Sequence, residues 1–256
     1  MKKRPHILVT NDDGILAPGL AALVKVARSI GDVIVVAPDS PQSGMGHAIT
    51  IDEPLRINSV QAFGDIQAYE CSGTPVDCVK LAMRVVEKDR PFDLCLSGIN
   101  HGSNASINII YSGTMSAAME ASLEGIPSIG FSLLDYSFDA DFEPSLPFLE
   151  AICQKSLEDG LGKTNLLNVN IPIDQIKGVR VCRQADARWV EDFQEGTDPR
   201  GKKYYWLSGR FESVSNESGT DLRALEEGYI SVVPSMHDLT NYQALTHLKG
   251  FEVIQV

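Results

Sequence analysis

The stretch His6-Ile7-Leu8-Val9 is apolar and partly β-branched, the pattern of a strand buried on both faces. Residues 19–30 then carry apolar side chains at helical spacing. A buried strand feeding directly into a helix commits a chain to right-handed crossovers and a mostly parallel sheet. Between the two elements lies Thr10-Asn11-Asp12-Asp13-Gly14, so two carboxylates stand side by side at the carboxyl end of the first strand. Open α/β sheets place their ligands at that edge. Two readings of this turn are available. Adjacent like charges shielded from water repel, and a bound divalent cation relieves them; hard oxygen donors suit Mg²⁺, Mn²⁺ or Ca²⁺. Alternatively the segment is an Asx turn, with Asn11 or Asp12 capping the helix and Gly14 supplying a positive φ.

The alternation continues along the chain. Strands are expected over 33–36, 92–96, 126–131 and 166–171. One helix is expected from Thr74-Pro75 to about residue 87, with Thr74 as cap, Pro75 in the first helical position and Asp77 in the first turn. Others are expected over 112–124, closed by Gly125, and over 147–158. The fold class is therefore α/β, with helices on both faces of the sheet. Character changes after about Lys177, where the chain becomes polar and turn-rich and holds both Trp189 and Trp206. Alternation over 203–207 followed by Ser208-Gly209 predicts a hairpin, 228–233 a returning strand, and 240–248 a helix. This organisation is a core over 1–177 with a β-rich C-terminal extension over 178–256, part of the same domain. The aromatic residues of the extension are either core or an oligomer contact.

A net charge of −12 offers no basic stripe for a nucleic-acid polymer, although a metal ion and backbone N–H groups can still draw in a small phosphorylated molecule. No segment approaches the roughly 20 apolar residues of a membrane span, and no secretory leader is visible. The expected setting is cytoplasmic. Five cysteines without a C-x-x-C pair read as reduced and structural.

Three further polar loops occupy the strand-to-helix position of Asp12-Asp13. They are 38–47, containing Ser43 and His47; 98–104, containing Asn100 and His101; and the helix start Ser112-Gly113-Thr114, where free N–H groups favour an anion. Together they offer two carboxylates, neutral oxygen donors and an anion cradle, the arrangement that phosphate monoester hydrolysis needs. Two carboxylates balance one divalent ion, and neutral ligands such as Ser43 and Asn100 leave it electrophilic. His47 and His101 are the nearest candidates for acid–base work, with helix capping or solvation as their other reading.

At these residues the chain resembles the SurE family of stationary-phase survival proteins. The shared motifs are T-N-D-D-G at 10–14, V-A-P-D at 36–39, S-G-M-G-H at 43–47, G-T-P-x-D-C at 73–78, S-G-I-N-x-G-x-N at 97–104 and S-G-T at 112–114. The resemblance implies a Rossmann-like sheet and one divalent metal ion per subunit, Mg²⁺ or Mn²⁺, on Asp12, Asp13, Ser43 and Asn100. It also implies a phosphate cradle of Asn104, Ser112, Gly113 and Thr114, and hydrolysis of nucleoside 5′- and 3′-monophosphates, with short polyphosphate cut by some members. A homodimer or homotetramer built through the C-terminal extension follows from the same likeness. Tyr111 stands where some relatives carry His, and His101 where some carry Arg.

The competing reading is a Mg²⁺-binding receiver-type switch without turnover. It requires a phosphoacceptor Asp at the end of the third strand, where this chain has Ser97-Gly98-Ile99-Asn100. A dinucleotide-binding fold requires G-x-G-x-x-G at the first helix, and that is absent.

Overall fold

A computed structural model describes residues 3–137, 139–214 and 217–254. Its strands are β1 (His6–Thr10), β2 (Asp32–Pro38), β3 (Ile57–Val60), β4 (Gln67–Cys71), β5 (Leu94–His101), β6 (Ser128–Leu133), β7 (Leu166–Ile171), β8 (Val179–Val181), β9 (Ala187–Thr197), β10 (Lys203–Ser213) and β11 (Ile230–Ser235). Its helices are α1 (Pro18–Ile30), α2 (Pro75–Leu81), α3 (Gly113–Leu123), α4 (Leu146–Asp159), α5 (Asp221–Glu226) and α6 (Leu245–Leu248). Nine strands form one sheet in the order β3-β4-β2-β1-β5-β6-β7-β11-β8, and β9 and β10 form a separate antiparallel ribbon. Every pair from β4 to β7 is parallel, and antiparallel pairing enters only where β3 meets β4 and β11 meets β7.

The central strand shows why the sheet is covered twice. Ile7 and Val9 pack with α1 and α4, whereas Leu8, one residue out of phase, packs with α2 and α3. All five residues of β1 are buried, as an apolar strand between two helix layers must be. The α/β class and the two helix layers thus stand as the patterning indicates. Among the described residues no helix is long and apolar enough to cross a membrane. All five cysteines are free and buried, and burial alone pushes the Cys95 thiol up to about 12.

Several expectations need correction. The strand expected to stop at residue 96 runs on to His101, with a register irregularity between Ser97 and Asn100 where it pairs with β6. The helix opened by Thr74 keeps its reciprocal cap with Asp77, but its α-helical part ends at Leu81 and a π-helical turn covers Ala82–Val86. β3 and β4 were not expected at all; both lie near the sheet edge with half-exposed, mixed side chains and so lack a clean period. The hairpin is real, but it turns at 198–202 and Ser208-Gly209 lie inside β10. Of the helix expected over 240–248, only Leu245–Leu248 is α-helical.

Candidate active site

β1 ends at Thr10 and delivers the turn. Asn11 closes it: its Nδ2 donates to the Gly14 carbonyl at 2.9 Å, and the Gly14 N–H donates back to Asn11 Oδ1 at 3.2 Å, with Gly14 at φ +101°. α1 starts four residues further on, at Pro18, with Ala17 at its cap position. A turn closed by the Asn11 side chain therefore exists, but neither Asn11 nor Asp12 caps the helix, whose cap position is Ala17 with no side-chain cap hydrogen bond. Asp12 and Asp13 are left for another task.

Asp12 is only 4% exposed, and burial pushes its carboxyl up to about 6 against the opposing hydrogen bond from the Thr114 hydroxyl to Oδ1. Burial likewise raises Asp13, with His101 pulling the other way. Asp13 Oδ2 is buried and has no hydrogen-bond partner among the described residues. An unpartnered buried carboxylate oxygen is costly, and a cation is the usual remedy.

The other loops close around this pair. The Gln42 N–H donates to the Asp12 carbonyl at 2.8 Å, which brings Ser43 to the same cavity. Asn100, at the far end of β5, gives its Nδ2 to the carbonyls of His101 and Gly102 at 3.1 and 2.9 Å. Its Oδ1 is thereby turned toward Thr114 Oγ1, 3.3 Å away. α3 begins with Ser112 as cap, its Oγ accepting the Met115 N–H at 3.0 Å. Gly113 follows because nothing larger fits: an added Cβ would stand 2.7 Å from the Asp12 Cβ and 2.8 Å from its Oδ2. The helix N-terminus is pressed against the first carboxylate.

Asp12, Asp13, Ser43, Asn100, His101, Asn104 and Ser112 all line one cavity of about 230 Å³. Thr114 sits behind Asp12 and acts through it, and Gly113 permits the contact. Two carboxylates with neutral oxygens make up the donor set; among the described residues no three His, Cys, Asp or Glu side chains converge on a point. His101 Nδ1 lies 3.0 Å from the Ser137 carbonyl. A carbonyl only accepts, so Nδ1 carries the proton and Nε2 is the nitrogen left for exchange.

His47 is the correction. It does not line this cavity; its Nε2 lies 2.9 Å from Glu120 Oε2, and Lys80 Nζ donates to the other carboxylate oxygen. Burial raises Glu120, but Lys80 and His47 outweigh it and hold the carboxyl below its ordinary value. His47 is a hydrogen-bond partner of Glu120 that ties the Ser43 loop to α3.

Some participants escaped the sequence reading. Asn104 rests on a buried lattice: its N–H donates to Asn170 Oδ1 and its Nδ2 to Ser132 Oγ, each at 2.8 Å. Asn168 Nδ2 donates to the Asn104 carbonyl, and Asn170 Nδ2 to Asn168 Oδ1, again at 2.8 Å. Two amides at i and i+2 in the otherwise apolar β7 were the signal available. Tyr111, Tyr136 and Trp189 complete the rim.

A family model described as Survival protein SurE matches residues 7–191. A protein named 5′-nucleotidase SurE from Christiangramia forsetii is 56% identical over 257 residues, 98% of each chain. One of the same name from Flavobacterium psychrophilum is 54% identical over 254 residues, again 98% of each. The crystal structure of the SurE protein from Aquifex aeolicus superposes with a TM-score of 0.84 at 41% identity, covering 97% of this chain and 100% of that one.

Proposed function

This chain belongs to the SurE family, and from that premise we propose that it is a divalent-metal-dependent phosphomonoesterase acting on nucleoside 5′-monophosphates, and on 3′-monophosphates as well. It is a nucleotidase, as its relatives at up to 56% identity over nearly the whole chain are named. The observation that carries the metal dependence is Asp13 Oδ2, buried and unpartnered beside the buried Asp12.

The donor set fits one Mg²⁺ or Mn²⁺ per subunit: Asp12 and Asp13 match its charge, and Ser43 and Asn100 add neutral oxygens. Bound there, the ion supplies charge neutralisation for the phosphoryl oxygens and a lowered pKa for a water. The chain's own residues do the rest. The open N–H groups at Ser112 and Gly113 favour the phosphate dianion at the start of α3. Asn104 keeps one amide N–H beyond the one given to Ser132. Thr114 holds Asp12 in its carboxylate form by hydrogen bonding to it. His101 Nε2 is the side-chain site for the proton that the leaving alkoxide takes up. Neither β5 nor its loop supplies an Asp for a receiver-type switch.

Chelation is expected to abolish phosphate release from adenosine 5′-monophosphate, and Mn²⁺ to restore it; release that survives chelation refutes the reading. Ser112→Ala is expected to raise the substrate KM more than the Mn²⁺ requirement, and equal effects refute the cradle.

We read residues 1–177 as the catalytic core and 178–256 as its extension, and we propose that exposed Tyr205, Trp206 and Leu207 on the ribbon are contacts of a homodimer or homotetramer. A cytoplasmic setting agrees with five buried free thiols.

A further inference from the structure

The C-terminal extension holds a buried carboxylate outside the cavity. Asp221, the first residue of α5, is 0% exposed, and among the described residues its oxygens meet backbone N–H groups only. Oδ1 accepts the N–H of Leu222 at 2.8 Å and that of Ala185 at 2.9 Å. Oδ2 accepts the N–H of Ser106 at 2.8 Å, 115 residues away along the chain. Ser106 Oγ donates to the Ala185 carbonyl at 2.8 Å, so Asp221, Ser106 and Ala185 close a buried ring of hydrogen bonds. Capping of α5 is not the task, because the Thr220 side chain already accepts the Arg223 N–H. Ser106 is the strained member of the ring. Among the described residues it is the one residue other than glycine with a positive φ, +55°. A left-handed residue that carries a Cβ persists only where its surroundings hold it.

Ser106 lies two residues after Asn104 and opens the 3-10 turn Ser106–Ile110, which leads to Ser112 and the start of α3. Asn104 and Ser112 both line the cavity, and the chain that joins them turns at Ser106. The amide lattice of β7 fixes Asn104 but ends there. The turn has another tie in Asn108, which donates to the Ser103 carbonyl at 3.2 Å and accepts the Trp189 indole N–H at 2.8 Å. That indole bond is open to solvent, whereas the Asp221 ring is sealed from it and gains strength from the low dielectric. We infer that Asp221 is a positioning residue for phosphate binding: by holding Ser106 left-handed, it sets the separation of Asn104 from the start of α3. The inference rests on the phosphomonoesterase reading and deepens it, since a group of the extension then governs the shape of the cradle. Asp221 lines no part of the cavity, so its loss acts on phosphate affinity. The proposed metal donors, on the β1 turn, the Ser43 loop and Asn100, keep their places.

The test uses the full-length protein. Asp221→Asn keeps the size of the side chain but sets an amide NH₂ against a backbone N–H whichever way it turns. It is expected to raise the KM for adenosine 5′-monophosphate, and the Kd of the Mg²⁺-loaded protein for inorganic phosphate, by about tenfold alike, with the Mg²⁺ requirement moving by less than about twofold. An unchanged phosphate Kd, or an equal change in the Mg²⁺ requirement, overturns the inference. Ser106→Gly is expected to shrink the Asp221→Asn penalty to less than about threefold, since glycine takes the left-handed conformation unaided. A full penalty in that background overturns the inference. Ala224→Gly weakens α5 without touching the ring and is expected to leave both constants within about twofold of wild type. A tenfold change there shows that Asp221→Asn only loosens the extension, and overturns the positioning role. In wild type the Ser106 amide is expected to resist hydrogen exchange as the β5 amides do; fast exchange overturns the inference even if Asp221→Asn fails to fold. If wild type releases no phosphate from the nucleotide, the phosphomonoesterase reading fails on its own, and the inorganic phosphate titration still decides the role of Asp221.

Discussion

At the carboxyl edge of the sheet, β1, β5, β6 and β7 are buried along most of their length, and near their ends Asn11, Asn100, Ser132 and Asn170 are held by hydrogen bonds. In the β9–β10 ribbon, Phe193, Tyr204, Tyr205, Trp206 and Leu207 all stand exposed. The contrast follows from coverage. Strands clamped between two helix layers have no freedom to relax, so an uncompensated carboxylate can be held at their ends. A two-stranded ribbon has no core of its own and is marginal alone. It is anchored at its base, where Trp189 meets Asn108, and free toward its tip. The candidate catalytic groups are therefore concentrated where the backbone is most constrained, while the ribbon carries apolar side chains exposed to solvent.

That division is testable at graded strength. Asp13→Asn is expected to cut phosphate release by roughly three orders of magnitude, the scale of losing an essential metal ligand, with an unchanged or higher melting temperature because a buried unpartnered charge is gone. A large fall in melting temperature would mean that the carboxylate supports the fold. Next, metal-free protein should be sensitive to acid–base titration at this edge. The Asp12 carboxyl is raised from 3.8 to about 6, so between those values the folded protein holds a proton that the unfolded chain has released. Stability then falls as pH rises through that window, by about 3 kcal/mol at full extent, and Asp12→Asn reduces the slope without abolishing it, because Asp13 is raised as well. Urea midpoints measured with a chelator across the window check both statements.

Smaller effects sharpen the comparison. Gly113→Ala must push Asp12 aside and is expected to cost about 2 kcal/mol of stability together with most of the activity. His47→Ala is expected to cost about 1 kcal/mol of stability by leaving Glu120 short of a partner, with kcat unchanged. His101→Ala is expected to lower kcat instead, and a reversal of the two results would return His47 to the acid–base role. Least of all, Trp206→Ser should change stability by less than about 0.5 kcal/mol while changing the oligomer size seen by light scattering. A mutation at the ribbon tip that unfolds the sheet would erase the distinction between the two regions.

Legibility followed the same division. The buried strands and the turn residues Asp12, Asp13, Asn100 and Ser112 could be read because each strand is a run of apolar residues and each polar break marks the same edge. β3 and β4 could not, since half-exposed strands carry no clean period. His47 was misplaced for a different reason. Its loop is long, sequence distance says nothing about which face a side chain reaches, and its partner Glu120 lies 73 residues away. The hairpin turn was misread because a Ser-Gly pair inside a strand carries the same local signal as one in a turn, and only the pairing of β10 with β9 tells them apart. The amides of β7 were hidden because a buried Asn is legible only when its hydrogen-bond partners are known.

Those amides set the character of the cavity floor. Asn104, Asn168, Asn170 and Ser132 hold one another through bonds in which no member can gain or lose a proton near neutral pH. The platform keeps its shape and its zero charge in acid and in mild base alike. Whatever activity profile the enzyme shows against pH is written by the groups standing on that platform, and a truncation such as Asn168→Ala would blur substrate placement at every pH equally.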